Sequence, residues 1–245
     1  MNPSEHRIID KRLPLYLTPD HECSYYDDRR ARTVFGDPRH IPDKQMQTLL
    51  AQQGFRRSGR YLYRPECKGC GACIAARVDV AAFTPDRSQR RNLQKNANLE
   101  VAVQHPWCDD DLLALYNRYQ SRRHPSGHML ADSRKTFEDF LIAHWSESRY
   151  LEIRFGNELL GVAVFDQLRD GLSAVYTFFD PDAEKRGLGI FAILKLIEFA
   201  ASEGLPWLYL GYWLPKHPKM DYKRRFRPLE ILIGGRWQRL QSGGA

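Results

Sequence analysis

Three regularly spaced cysteines carry the clearest chemical signal in the chain, within the run Cys67-Lys68-Gly69-Cys70-Gly71-Ala72-Cys73. Thiolates with two residues between them can converge on one cation, and the glycines permit the tight turns that bring the sulfur atoms together. Because three ligands leave a tetrahedral site open, a fourth must come from elsewhere; Cys23 is the first candidate and His21 the second. Such a set suits Zn²⁺ or an iron–sulfur cluster, and the spacing does not choose between them.

The same cysteines have two explanations that need no metal, namely small buried apolar side chains or the remains of a former site. A nucleophilic thiol is not expected, because no histidine is locally paired with the cluster. Cys108, alone after Trp107, is expected to be a packing residue. The five cysteines of the chain are too few and too clustered for a secreted disulfide framework.

Basic charge is unevenly distributed along the 245 residues, whose net charge is +7. Residues 211–245 contain eight Lys and Arg against two Asp and Glu, and residues 86–95 contain four basic residues against one acidic residue. The rest of the chain is therefore slightly acidic. Aromatic residues alternate with the basic ones in the first of these segments, which suits phosphate neutralisation combined with stacking on bases. For each run taken alone, a solvated helix face is the alternative.

The composition is that of a folded, cytoplasmic protein. Hydrophobic residues make up 42% and charged residues 27%, which are ordinary globular values. No window approaches about 18 consecutive apolar residues, so we expect no membrane partner. The first residues, MNPSEHR, lack the apolar core of a secretory signal.

The sequence pattern around the cysteine loop predicts a small α/β lobe over residues 1–104 that holds this loop. Residues up to Pro42 are rich in turn formers and are expected to be irregular. Asp43 is suited to cap a helix that runs to Gln53, ahead of Gly54. The pattern then predicts a strand pair over 55–63, the cysteine loop, a strand over 77–83, a basic helix over 88–97 and a strand over 99–103.

A change in pattern at His105-Pro106 marks the expected boundary with a second lobe, residues 105–245. Its predicted elements are helices over 109–122 and 133–145, strands over 150–155, 159–167 and 172–179, a helix over 188–202, and strands over 207–210 and 229–233. This order is typical of an acetyltransferase-like domain. The predicted fold class is therefore α/β, with a GNAT-like mixed sheet and a smaller N-terminal α/β lobe that carries the cysteine loop.

The turn over residues 184–190 leads into the last predicted helix, where acetyltransferases offer backbone N–H groups to the coenzyme A pyrophosphate. Their pattern, R/Q-x-x-G-x-G/A, fits poorly. Aligned from Arg186, the turn places Phe191 where a small residue is needed; aligned on its two glycines, it begins with Glu184, which repels phosphate. A coenzyme A-dependent N-acetyltransferase therefore stays an alternative and is not the leading hypothesis.

Several blocks of sequence are long enough to be specific: Cys23–Tyr26, Cys67–Cys73 followed by Arg77, Phe83–Arg91, Arg123–Met129, Gly171–Pro181, Leu210–Trp213 and Lys219–Lys223. These blocks resemble the bacterial aminoacyl-tRNA–protein transferase family, over about residues 14–238. Within that family the chain is more similar to the leucyl-transferring members than to the arginyl-transferring eukaryotic ones. One departure is Ile74-Ala75-Ala76 before Arg77, where the family has a proline. The resemblance therefore does not define the shape of the loop there.

The resemblance implies an acetyltransferase-like fold and an aminoacyltransferase reaction. Leucine would pass from the 3′ end of its tRNA to the α-amine of a protein that begins with Asp or Glu, which marks that protein for degradation by the N-end rule. The partners would be leucyl-tRNA and such proteins. Because the donor is already an activated ester, the transfer itself requires no cofactor. Arginyl transfer and a non-enzymatic cysteine–metal RNA-binding module are further alternatives.

For this reaction we expect Asp166 and Tyr176 to form the catalytic pair, since they lie on adjacent predicted strands around the 169–171 turn. Asp166 would orient the amine or accept its proton, and Tyr176 would donate a hydrogen bond to the carbonyl oxygen. A structural hydrogen-bonded pair is the alternative. The acidic side chain of the acceptor needs a cation, for which Arg77, Arg123 and the adjacent His124 are the candidates.

The remaining site predictions concern the tRNA and the metal. Tyr212 or Trp213 would stack on the terminal adenine. The candidate phosphate contacts are Arg90, Arg91, Lys219, Lys223, Arg225 and Arg227. The candidate metal ligands are Cys23, Cys67, Cys70 and Cys73. The sequence does not locate the apolar pocket that a leucyl side chain requires.

Overall fold

The computed structural model describes residues 13–40, 42–123 and 130–241. The α-helices in these ranges are α1 (Lys44–Gln52), α2 (Arg87–Lys95), α3 (Asp110–Arg123), α4 (Arg134–Leu141) and α5 (Leu188–Ser202). Short 3₁₀ helices cover Pro181–Arg186 and Asp221–Arg225. The strands are β1 (Leu15–Leu17), β2 (His21–Glu22), β3 (Arg30–Ala31), β4 (Thr33–Gly36), β5 (Arg56–Ser58), β6 (Tyr61–Pro65), β7 (Ile74–Asp79), β8 (Glu100–Gln104), β9 (Ser148–Phe155), β10 (Glu158–Gln167), β11 (Gly171–Phe179), β12 (Trp207–Trp213), β13 (Leu229–Ile233) and β14 (Arg236–Arg239).

Local capping residues set where the helices of the first half begin. The Asp43 carboxylate accepts a hydrogen bond from the backbone N–H of Met46 at 2.8 Å, which starts α1. Asp86 and Gln89 cap α2 reciprocally, each side chain bonding the backbone of the other residue. The start of α1 after Asp43 is as predicted, α2 begins one residue before its predicted start at residue 88, and the two predicted helices are confirmed.

The large sheet has eight strands in the order β14-β13-β7-β12-β11-β10-β9-β8. Within the described chain, β11 and β12 pair in parallel, and the other neighbours in this sheet pair antiparallel. The order of elements from β8 to β12 is strand, two helices, three antiparallel strands, helix and strand. This is the order predicted for an acetyltransferase-like mixed sheet, and the α/β class is confirmed.

Each face of the large sheet is covered by helices. α5 carries apolar residues on nearly every side and packs on one face with Phe165, Leu172 and Leu208. α3 and α4 pack on the other face, where Tyr116 and Phe137 meet the inner strands. Burial on both faces explains the near-continuous apolar run of β10.

A smaller four-stranded sheet, in the order β1-β4-β6-β5, lies with α1 in the first part of the chain, and β2 pairs with β3 beside it. Besides forming this small sheet, residues 1–104 contribute two strands to the large sheet. β7 lies between β12 and β13, and β8 forms the edge of the large sheet. The predicted boundary at 104/105 therefore runs through one continuous sheet, because hydrogen-bonding partners distant in sequence decide where a strand is placed.

Two other differences from the sequence predictions concern short strands. β7 begins at Ile74, three residues before the predicted start at Arg77. β1 to β4 form within the segment that was expected to be irregular, where tertiary pairing outweighs the turn-rich composition. Among the described residues, no helix is long and apolar enough to cross a bilayer.

Candidate functional site

A gap opens in the large sheet where the two parallel strands separate. β11 and β12 pair only from Gly171 to Ser173, opposite residues 207–209. Beyond that point β11 continues to Phe179 and β12 to Trp213 without pairing to each other. Both strands have a register shift at this level, at residues 174–176 in β11 and 209–211 in β12. Each bulge bends its strand, so the strands diverge and leave a cleft between them.

Arg56 at the start of β5 fills the base of this gap. Its Nη2 donates hydrogen bonds to the carbonyl oxygens of Ala174 and Val175, at 3.2 and 3.1 Å. The guanidinium lies against the backbone of Gly211, where an added Cβ would come within 2.3 Å of Nε. Gly211 also has φ +74, so glycine is required there for both space and conformation.

Lys223 reaches the same gap from the 3₁₀ helix Asp221–Arg225. Its Nζ donates to the carbonyl oxygen of Tyr212, and only 4% of the residue is exposed. Burial holds the pKa of Lys223 well below its ordinary value, and the positive charge of Arg56 lowers it further, while Cys73 raises it. Arg56 and Lys223, which are distant in sequence, thus lie at the neighbouring residues Gly211 and Tyr212 of β12.

Tyr176 lies on the part of β11 beyond its pairing with β12, and its ring packs against Tyr119 of α3 and Phe140 of α4. Its hydroxyl accepts a hydrogen bond from Nε2 of Gln120 at 2.9 Å, which leaves the phenolic proton free to be donated. Burial raises the pKa of Tyr176 above its ordinary value, so the phenol stays protonated at neutral pH. Arg123 is exposed, and its positive charge opposes the rise in the pKa values of Tyr176 and Tyr222. Tyr222 is 37% exposed. His124 lies outside the described residues.

Asp166 does not lie open to a substrate, which corrects its expected role in accepting a proton. It is fully buried, and Arg57 binds both of its oxygens, at 2.6 Å from Nε and 3.0 Å from Nη2. Ser148 donates to the same carboxylate at 2.7 Å and Gln47 at 3.3 Å. The sequence placed Asp166 and Tyr176 on adjacent strands, but it did not show that Asp166 already has a full set of partners.

Arg77 is likewise engaged within the fold. Its Nε and Nη2 both donate to one oxygen of Glu230, at 2.9 and 2.8 Å. The guanidinium is also stacked 3.5 Å from the ring centre of Trp207 and 4.3 Å from that of Trp237. Its charge is therefore neutralised on β13, which corrects the expectation that it receives the acidic side chain of a substrate.

Tyr212 and Trp213 are buried, at 1% and 3% exposure. The Tyr212 hydroxyl lies 3.0 Å from the carbonyl oxygen of Gly54, and Nε1 of Trp213 donates to Asp221 at 3.0 Å. Neither ring has an exposed face, which corrects the expectation that one of them stacks on a terminal adenine. Burial of Lys223 similarly removes it from the set of surface phosphate contacts.

The two basic segments come together on one surface, although the contacting residues Gln89 and Arg225 are 136 positions apart in sequence. Nε2 of Gln89 on α2 donates to the carbonyl oxygen of Arg225, and Nη2 of Arg225 donates to Ser88 Oγ, both at 3.0 Å. Lys219 is exposed on the loop before the same 3₁₀ helix. We call this the basic surface, and its exposed cations are Arg87, Arg90, Arg91, Lys219, Arg224, Arg225 and Arg227.

Cys23, Cys67, Cys70 and Cys73 are free thiols that act on one another electrostatically. Burial, followed by these three neighbouring thiols, raises the pKa of Cys73 to about 12. The backbone N–H of Ala72 and then the Arg29 guanidinium lower the pKa of Cys70. In the described ranges no group of three or more His, Cys, Asp or Glu side chains has the arrangement of a metal site. Four neighbouring sulfurs are the donor set that Zn²⁺ or an iron–sulfur cluster takes, so a metal here remains a proposal.

Cys108, by contrast, packs against the cluster of α3 and α4, as expected for a packing residue. The turn before α5 is packed against α2: Nδ2 of Asn92 donates to the carbonyl oxygens of Arg186 and Gly187, at 3.0 and 3.2 Å. A Cβ on Gly187 would lie 2.8 Å from this amide nitrogen. Helix α2 of the same chain therefore packs directly against this turn.

Sequence reasoning missed Arg56 and Arg57. A pair of adjacent arginines in a short predicted strand was the available signal, because consecutive strand residues point to opposite faces. One of the two must therefore point toward the interior, and the structure shows that both are held there by oxygen acceptors.

Two family models match the chain. The model described as "Arginine-tRNA-protein transferase, N terminus" matches residues 21–91, and the one for the C terminus matches residues 111–233. The chain is 51% identical over 238 residues to the aspartate/glutamate leucyltransferase of Stenotrophomonas maltophilia strain K279a, covering 95% of each chain. It is 48% identical to the protein of that name from Saccharophagus degradans, covering 92% of this chain and 96% of the relative.

Solved structures are more distantly similar. L-PGS from Bacillus licheniformis has a TM-score of 0.48 at 13% identity, covering 64% of this chain and 57% of that one. A fungal protein with a GCN5-related glucosamine N-acetyltransferase region has a TM-score of 0.44 at 11% identity, covering 76% of this chain and 21% of that one.

Proposed function

Because this chain belongs to the arginine-tRNA–protein transferase family, we propose that it transfers leucine from leucyl-tRNA to the α-amine of proteins that begin with aspartate or glutamate. The observation that carries this proposal is the 51% identity to an aspartate/glutamate leucyltransferase over 95% of both chains. The product would be a protein with N-terminal leucine, marked for degradation by the N-end rule.

The transfer step itself requires no cofactor, because the leucyl ester of the tRNA is already activated. The α-amine nitrogen attacks the carbonyl carbon of the leucyl ester, the C–N bond forms, and the bond from that carbon to the 3′ oxygen of the tRNA breaks. The proton lost by the amine ends on the released ribose oxygen. An α-amine has an ordinary pKa of about 7.7–8.0, so part of it is already uncharged near neutral pH. Orientation of amine and ester then supplies most of the rate enhancement.

Tyr176 is the proposed donor to the carbonyl oxygen as negative charge develops there. Two features support the assignment. The hydroxyl is oriented by Gln120, and its raised pKa keeps the proton in place until the oxyanion forms. A preorganised donor of this kind stabilises a tetrahedral intermediate more than it stabilises the ground-state ester.

The tRNA is proposed to bind across the basic surface, with its aminoacylated 3′ end in the gap between β11 and β12. The 3₁₀ helix Asp221–Arg225 supports this arrangement, because it contributes to both places. Arg225 faces α2 on the basic surface, and Lys223, two residues earlier, faces the gap. Phosphates held outside would thus direct the end of the acceptor stem toward the cleft.

A transfer assay tests the function directly. Leucyl-tRNA carrying [¹⁴C]leucine is incubated with the protein and a peptide that begins with Asp or Glu, and label on the peptide is measured. The N-acetylated form of the same peptide, which has no free amine, is the matched control and should stay unlabelled. Label from arginyl-tRNA instead of leucyl-tRNA would identify an arginyltransferase. No label from either donor, with both charged tRNAs intact, would refute an aminoacyltransferase.

A further inference from the structure

Arg56 is half-buried and Lys223 is buried, and the side chains of both donate hydrogen bonds to backbone oxygens. Arg56 donates to carbonyl oxygens at the bulge of β11, and Lys223 donates to the carbonyl oxygen of Tyr212 in β12. The Arg56 guanidinium lies against Gly211, the residue before Tyr212, and its charge lowers the pKa of Lys223. We call Arg56 and Lys223 the two-cation site. It is located between the separated strands, and the Arg56 guanidinium carbon lies 5.9 Å from the ring centre of Tyr212.

No carboxylate neutralises this site within residues 13–40, 42–123 and 130–241: neither cation forms an ion pair with a described Asp or Glu. The two buried arginines of the described chain, Arg57 and Arg77, show the contrast. Arg57 is paired with Asp166 and Arg77 with Glu230. Burying charge without a counterion is costly, and two like charges placed together add mutual repulsion. The two buried guanidiniums are thus paired with carboxylates, whereas the half-buried Arg56 and the buried Lys223 are not, and an anion could neutralise them.

The position of the site relative to Tyr176 indicates which anion. The Val175 carbonyl held by Arg56 belongs to the residue directly before Tyr176. An anion on the two cations would therefore lie beside the group proposed to bind the reacting carbonyl oxygen. In an N-terminal Asp or Glu, the side-chain carboxylate is only a few bonds from the α-amine. Both groups of one residue can thus occupy adjacent places in the gap.

We propose that Arg56 and Lys223 bind the side-chain carboxylate of the acceptor's N-terminal aspartate or glutamate. This subsite rests on the proposed function for its ligand, and its residues replace Arg77, which Glu230 already neutralises. A guanidinium and an ammonium can together accept both oxygens of one carboxylate. The neutral amides of Asn and Gln have one fewer acceptor oxygen and no charge, so the site discriminates against them.

The test compares two peptides that differ only in an N-terminal Glu or Gln, with amidated C-termini and no other acidic residue. Affinity for the protein without tRNA is measured by calorimetry, and leucine transfer is measured separately. The variants are Arg56→Gln and Lys223→Met, with Arg60→Gln as the matched control because Arg60 is an exposed cation in the same hairpin. Circular dichroism and the melting temperature confirm that each variant is folded.

The wild-type protein and Arg60→Gln are expected to bind the Glu peptide at least about tenfold more tightly than the Gln peptide. Either variant of the two-cation site should reduce that ratio to about one, raising KM for the peptide while tRNA affinity is unchanged. A folded variant that keeps the wild-type ratio overturns the subsite even if leucine transfer is normal. If the wild-type protein binds the Glu peptide about tenfold more tightly than the Gln peptide but transfers no leucine, the proposed function is refuted and the carboxylate subsite is supported.

A second measurement uses the wild-type protein and does not depend on the stability of a variant. A carbodiimide activates a carboxylate so that a neighbouring amine forms an amide with it. The reagent takes up the water that is lost and becomes a urea. With the Glu peptide, mass spectrometry should locate a cross-link at Lys223, and the Gln peptide should give none there. Cross-links found only at other lysines would contradict the proposal.

Discussion

Arg57 binds both carboxylate oxygens of Asp166, and this buried pair joins the small N-terminal sheet to the large sheet. The pair also determines where the preceding residue lies, because Arg56 points the opposite way, toward the bulge of β11. One strand of three residues thus supplies a structural ion pair on one side and a cation at the candidate active site on the other.

The first prediction separates the structural role of Asp166 from a catalytic one. Asp166→Asn leaves the buried Arg57 charge unpaired and should destabilise the protein by about 3–5 kcal/mol. Urea denaturation measures this loss, and Glu158→Gln, at an exposed strand end, should leave stability unchanged. A variant as stable as the wild type but unable to transfer leucine would show that Asp166 acts in catalysis after all.

The second prediction concerns Tyr176. Tyr176→Phe removes the proposed donor to the carbonyl oxygen and should lower kcat by about 100-fold or more, with little change in KM for either substrate. Steady-state transfer kinetics provide the measurement. Tyr61→Phe is the matched control, since Tyr61 is 43% exposed on the small sheet and should lose no activity. An unchanged kcat in Tyr176→Phe would exclude the hydroxyl as a catalytic donor.

The third prediction addresses the basic surface. Arg91→Gln and Arg225→Gln should each weaken tRNA binding, and each should reduce the slope of log K against log salt by about one. Filter binding across a salt series gives both quantities. Arg60→Gln again serves as a control with an unchanged slope. If the slope stays at the wild-type value in the double variant, the tRNA binds elsewhere.

The fourth prediction concerns the metal. We expect protein purified without oxygen to contain zinc or an iron–sulfur cluster held by Cys23, Cys67, Cys70 and Cys73. Elemental analysis and the ultraviolet–visible spectrum distinguish the two. Cys70→Ser should lose the metal, whereas Cys108→Ser, in a residue that packs against α3 and α4, should retain it. Metal-free protein with full transfer activity would limit the four thiols to a structural role.

The helices of both halves, the strands β9 to β11 and the turn before α5 were predictable because their signals are local. Asp43 shows its capping role within three residues, and apolar periodicity marks the buried face of α3. The family resemblance was also present in contiguous blocks. By contrast, Asp166 and Arg77 were assigned chemical roles that their true partners, Arg57 and Glu230, already exclude. Those partners lie more than a hundred residues away in sequence.

The sequence by itself determined the class of fold, the family and the two basic segments, since each depends on residue type and short-range spacing. Tertiary structure alone decided which charges remain available. It paired Arg57 and Arg77 with acids, buried Tyr212 and Trp213, and left Arg56 and Lys223 together in the gap between β11 and β12. The physical reason is that neutralisation and burial depend on neighbours brought close by folding, and no local pattern records them.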